Sequence, residues 1–170
     1  MALHFASLPK SAERKAMDEI KRIASFEVDH DKIREGIYVS RIDGDVTTYD
    51  LRTRRPNMGD YMDNLTMHSV EHMLASYLRN GKIGPRVVYF GPMGCQTGFY
   101  LLVRDAKNSE VLEALIESLQ KTVSHEGEIF GKSRRECGNF ENLDIEAARR
   151  ECQRYLSALC ERDQTFEYEK

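Results

Sequence analysis

The chain has 170 residues, a net charge of -3, and hydrophobic and charged shares of 41% and 31%. That length fits one domain with a core of its own. Its apolar runs fall far short of the roughly 18–20 residues needed to cross a bilayer, and its basic residues are too dispersed for the concentrated surface that holds nucleic acid.

The first residues lack the basic-then-apolar pattern of a secretory signal, so a cytoplasmic location is expected, where thiols stay reduced. The cysteines at 95, 137, 152 and 160 then read as free thiols, ligands or nucleophiles. Residues 10–24 carry Ala16, Met17, Ile20, Ile23 and Ala24 at helical spacing and predict an amphipathic helix. Strands are predicted over 37–42 and 46–52, joined at Asp43-Gly44. Arg52-Thr53-Arg54-Arg55, the one dense basic cluster, reads as a solvated loop.

A helix is predicted from Asn64 to Asn80, ending at Gly81. Val87 to Phe90 reads as a short buried strand and Phe99 to Val103 as another strand, flanking the glycine-rich loop Gly91-Pro92-Met93-Gly94-Cys95-Gln96-Thr97-Gly98. A second helix, capped by Asn108 or Ser109, places Val111, Leu112, Leu115, Ile116, Leu119 and Val123 on one side. Residues 125–143 look irregular. Asp144 opens a last helix with Ala148, Tyr155, Leu156 and Leu159 inward, on which Cys152 and Cys160 read as small core residues. The tail from Arg162 is expected to fray. A hairpin mixed with long helices predicts an α+β domain, with the helices on one face of a mainly antiparallel sheet.

His68 and His72 are four residues apart in His68-Ser69-Val70-Glu71-His72. On a helix this stacks two imidazoles on one face, a clamp for a divalent metal, with the Glu71 carboxylate at its edge to move protons. The plain alternative is two histidines on a solvated face with Glu71 as an ion-pair partner. A third ligand is needed, and Cys137, beside Gly138 in the irregular stretch, is the best candidate. A His2Cys set leaves a position open, as catalytic sites do. Cys95 lies between glycines that let a ligand approach the backbone. It serves as a base or nucleophile if its thiol is acidified, or is a buried turn cysteine. The same residues also allow a small peptidase of the H-x-x-E-H type, or a closed His2Cys2 binding module with Cys95 as fourth ligand.

Taken together, Ser25-Phe26-Glu27-Val28-Asp29-His30, Asp50-Leu51-Arg52 with Pro56-Asn57, the His68–His72 motif, Pro92 to Gly98, and Cys137-Gly138 resemble the S-ribosylhomocysteine lyase (LuxS) family. The likeness runs from about Ser25 to Leu159. Ser69 departs from a familiar Thr, no acidic residue stands near Tyr89, and about 20 residues precede the usual start. The resemblance implies a LuxS-like, metallohydrolase-related fold, with an N-terminal extension over 1–24 ahead of a single catalytic domain over 25–170. It implies a carbon–sulfur lyase that splits the thioether of S-ribosylhomocysteine into homocysteine and 4,5-dihydroxy-2,3-pentanedione, the autoinducer-2 precursor of quorum sensing in the activated methyl cycle. His68, His72 and Cys137 would hold one divalent metal per subunit, natively Fe2+ with Zn2+ as a substitute. Cys95 and Glu71 would be catalytic, and Ser25, His30 and Arg52 would contact substrate. The family is homodimeric with sites at the interface. Taken alone, His30 reads as a surface histidine and Arg52 as a strand-end charge.

Overall fold

The computed structural model describes residue 23 and residues 26–169; the predicted N-terminal helix and Ser25 lie outside the described residues. Four strands, β1 (Gly36–Asp43), β2 (Val46–Arg52), β3 (Val87–Pro92) and β4 (Gly98–Arg104), form one sheet in the order β1-β2-β4-β3. All three pairings are antiparallel. The β1–β2 turn is Gly44-Asp45, one residue later than predicted, because Asp43 still pairs with Val46. The helices α1 (Asn64–Arg79), α2 (Asn108–Val123) and α3 (Ile145–Cys160) follow the predicted spans, each 16 residues long.

Strand alternation explains the two faces of the sheet. Phe99, Leu101 and Val103 are buried while Tyr100 and Leu102 between them are only half-buried, as period-two geometry requires. The first set, with Ile37, Tyr49 and Leu51, joins Val70, Met73 and Leu74 of α1, Val111, Leu115 and Leu119 of α2, and Ala148, Cys152 and Tyr155 of α3 in one core. Among the described residues helices cover this face only, and the fold is α+β. Gly98 sits so close to β2 that a Cβ there would lie 2.2 Å from the Leu51 carbonyl oxygen; only glycine allows this approach.

The caps follow the sequence in part. Asp63 caps α1 and Asp144 caps α3 through side-chain acceptance of backbone N–H groups. Neither Asn108 nor Ser109 caps α2: its N-cap is Lys107, without a side-chain hydrogen bond. Asn108 instead accepts from the Tyr49 hydroxyl at 2.8 Å. Cys152 is buried as expected but Cys160 is exposed.

The tail does not fray. Phe166 pairs with Tyr38 in a parallel bridge, its carbonyl accepts the Val39 N–H at 2.8 Å, and Gln164 accepts from the Ile37 N–H at 3.2 Å. The open edge of β1 supplies backbone donors that the sequence of the tail alone does not reveal, and satisfying them favours docking. Tyr168 then stacks on Tyr38, with centroids 4.8 Å apart.

The two faces differ in consequence. Leu101→Ala should cost about 2–5 kcal/mol, as buried leucine truncations do. Leu102→Ala, one position along on the open face, should cost well under half of that; urea unfolding midpoints at unchanged m-value compare them.

Candidate active site

The helical spacing does what it predicts. On α1 the rings of His68 and His72 lie 4.7 Å apart between centroids and nearly perpendicular, at 89°. The irregular segment 125–143 folds over them and brings Cys137 Sγ to 3.4 Å from His68 Nε2. One ligand atom from each of His68, His72 and Cys137 lies within 4.8 Å of the others.

The donor set suits a divalent metal on chemical grounds. His68 Nδ1 donates to the Asn142 carbonyl at 2.8 Å and His72 Nδ1 to the Phe130 carbonyl at 2.7 Å. A carbonyl only accepts, so each Nδ1 carries the proton and each Nε2 keeps a free lone pair for a metal. The Asn139 N–H points at Cys137 Sγ, 3.4 Å away. Gly131 (φ +69°) lies against His72, and a Cβ there would stand 3.1 Å from Nδ1; the dihedral and the tight space both favour glycine. His125 braces the same loop: Tyr77 Oη and His125 Nδ1 are 2.7 Å apart, and Phe130 packs edge-on against both rings. Glu71 lines a shallow hollow with His72, Phe130 and Gly131, and makes no hydrogen bond or ion pair among the described residues.

A second group of candidates assembles around the glycine-rich loop. Arg52 is buried, not a solvated strand end, and it pairs with Asp50, also buried. Its Nε and Nη2 donate to Asp50 Oδ2 at 3.1 and 2.9 Å. Asp50 Oδ1, 2.8 Å from the same Nε, receives no hydrogen bond. The remaining nitrogen, Nη1, reaches Thr97 Oγ1 at 2.5 Å and Cys95 Sγ at 3.6 Å. Thr97 Oγ1 is also 3.1 Å from Cys95 Sγ. Because Thr97 Oγ1 accepts from Arg52, its own O–H is free to donate to the sulfur.

Cys95 is therefore no buried turn cysteine; it is exposed. Its partial burial pushes the thiol up, but hydrogen bonds from Thr97 and the charge of Arg52 outweigh this and leave it below its ordinary value. Arg52 stays charged, for burial is outweighed by Asp50. Next to it, Arg54 is held by Glu151 at 2.7 Å and Asp60 at 2.5 Å, so most of the basic cluster is a paired structural element. Arg55 alone of the four matches the solvated reading. His30 Nδ1 bonds the Val28 carbonyl at 2.9 Å, and His30 lines one small cavity with Asp50, Arg52, Tyr100 and Tyr168.

Sequence reasoning missed Asp50 and Thr97 as partners of Arg52 and Cys95. Asp50 carried a usable signal, since opposite charges two apart on a strand share a face. The carbonyls of Phe130 and Asn142 carried none, because any residue offers one.

The family model described as S-Ribosylhomocysteinase (LuxS) matches residues 23–166. The S-ribosylhomocysteine lyase of Finegoldia magna is 41% identical over 145 residues, covering 82% of this chain and 92% of that protein. Those of Desulfotalea psychrophila and Phocaeicola vulgatus are 42% and 40% identical, covering 82% and 84% of this chain and 92% of each relative. With the paired histidines, the folded-over Cys137 and the Cys95 loop all inside the matched region, the chain belongs to the S-ribosylhomocysteinase (LuxS) family.

Proposed function

We propose that the protein is a carbon–sulfur lyase that cleaves S-ribosylhomocysteine to homocysteine and 4,5-dihydroxy-2,3-pentanedione, the precursor of a quorum-sensing autoinducer. The observation that carries this reading is the coexistence of an acidified, exposed thiol on Cys95 and a three-donor His68–His72–Cys137 centre in a chain of this family. A peptidase has no use for Cys95. A closed four-ligand module has no use for its pairing with Arg52 and Thr97.

The reaction moves a sugar carbonyl along its chain by two enolisations and then expels the thiolate at the β position. Each enolisation takes a proton from a carbon next to a carbonyl and returns one at the neighbouring position, with no net redox change. A divalent metal at the three-donor centre supplies Lewis acidity, natively Fe2+ with Zn2+ as a substitute, since two imidazoles and a thiolate suit both. Cys95, as thiolate, takes and returns protons at the sugar carbons. Glu71, beside His72, serves the positions that Cys95 does not. The Arg52 guanidinium keeps the thiolate ionised, and with His30 and Ser25 it binds substrate hydroxyls.

Two subunits would pair through the face of the sheet that the described helices leave open, with the two active sites at the interface. The hollow lined by Ile23, Thr48, Tyr89, Tyr100 and Leu102 on that face supports this. No helix among the described residues is long and apolar enough to cross a membrane, and working thiols favour a reducing cytoplasm.

Metal-loaded protein should release a free thiol from S-ribosylhomocysteine, read with a thiol-reactive dye. No release at confirmed metal occupancy sinks the proposal. Cys95→Ala should keep its metal and lose turnover by roughly 100-fold or more, the scale of a proton-transfer group. Cys137→Ala should lose metal, measured by elemental analysis; the opposite outcome would exchange the two roles. As pH falls, kcat/KM should drop where the Cys95 thiolate gains its proton. Because that group is held low, the drop comes below the ordinary thiol range. Thr97→Val removes one donor and should move the acidic limb of the pH–rate profile to higher pH.

A further inference from the structure

The family match ends at residue 166, yet the chain continues to a side chain that enters the neighbourhood of the acid–base group. Tyr168 Oη donates to Asp50 Oδ2 at 2.9 Å. That same oxygen accepts the two Arg52 hydrogen bonds, while Oδ1 receives none. Tyr168 is thus the one donor, besides Arg52, that the structure gives this buried carboxylate among the described residues.

Leaving a buried carboxylate short of donors is costly, and the contacts of the tail from Gln164 to Tyr168 hold this hydroxyl in place. Gln164 and Phe166 dock on the edge of β1. Phe166 also packs edge-on against Tyr49, with centroids 6.4 Å apart. The Tyr168 ring lies 6° from parallel to Tyr38, and Tyr38 is itself fixed by donating to the Arg34 carbonyl at 2.9 Å and accepting from Arg162 at 2.8 Å.

We propose that Tyr168 is a positioning residue of the active site: by donating to Asp50 it fixes the Asp50–Arg52 pair, and through it the Arg52 nitrogen that faces Thr97 and Cys95. The proposal rests on the reading that Cys95 is the acid–base group. The groups involved are few. Arg52, Tyr168, His30 and Tyr100 face Asp50; Arg52 and Thr97 face Cys95. Tyr168 is itself no proton carrier. Burial holds its phenol far above the ordinary range, so it remains a donor at every working pH.

Without the hydroxyl, Arg52 must hold the carboxylate alone. The pair loosens and admits water, the third nitrogen loses its fixed aim, and the thiolate loses stabilisation. Simple neutralisation of Asp50 with Arg52 unmoved would act in the opposite direction, strengthening the pull of Arg52 on the sulfur.

The test is Tyr168→Phe, which keeps the ring stack and removes only the hydroxyl, alongside a chain ended after Phe166. Iodoacetamide alkylation of Cys95 is followed against pH in metal-loaded protein by peptide mass. In Tyr168→Phe the midpoint should rise by about 0.5 pH unit, equivalent to about threefold less thiolate below it. With S-ribosylhomocysteine, kcat should fall by a similar factor at nearly unchanged KM. The shortened chain should show at least the same shift. An unchanged or lowered midpoint in the folded variants overturns the proposal. So does a fall in melting temperature alone, which would mark Tyr168 as packing. Alkylation needs no substrate, so failure of the lyase assay and failure of this proposal are separate results.

Discussion

Two opposite charges two residues apart on β2, Asp50 and Arg52, both nearly out of water, constrain everything built around Cys95. Removing an ion from water costs several kcal/mol even after relaxation, and a pair recovers this only with good geometry. Here burial pushes the Asp50 carboxyl up in spite of Arg52, so the pair is not a cheap source of stability. Its geometry gives it another use. A guanidinium has donors in a rigid fork. Two nitrogens are committed to the carboxylate, and the plane they define aims the third at Thr97 and Cys95. A lysine on the same strand would offer a charge without an aim.

The metal centre obeys a different constraint. One turn of α1 brings two imidazoles together, but a helix does not select their tautomers. The carbonyls of Phe130 and Asn142 do so from outside the helix, and both belong to the segment that carries Cys137. The one segment 125–143, folded over α1, therefore carries both the candidate third ligand and the carbonyls that orient the first two. The Asp144 N–H bonded to the buried Ser69 hydroxyl at 2.8 Å ties the far end of that segment to the same helix.

Features that depend on local periodicity were legible in the sequence: the hairpin, the three helices and the His68–His72 pair all follow from spacing alone. The register of the first turn moved by one residue, because strand pairing overrode the Asp-Gly preference. What could not be read is long-range. Arg52 looked like a strand-end charge because its burial depends on the tail, the 28–33 segment and Tyr100, none of which is near it in sequence. The tail looked free because its partner is the edge of β1, and an edge accepts almost any extended backbone. Asn108 looked like a cap, but the Tyr49 hydroxyl claims its side chain.

The cysteines show why composition alone assigns no chemistry to a thiol. Cys152 is walled in by the core, which pushes its thiol far up and makes it inert. Cys137 receives a backbone N–H and stands 3.4 Å from His68 Nε2, surroundings that suit a ligand. Cys95 faces a guanidinium that is itself locked to a carboxylate. A fixed charge acidifies a thiol without exchanging a proton with it, whereas a histidine partner would titrate in the same range and couple the two ionisations. On the proposed role of Cys95 as the base, an Arg52 partner holds the thiol low without itself exchanging a proton, which suits a reaction that must take a proton and give it back at successive carbons.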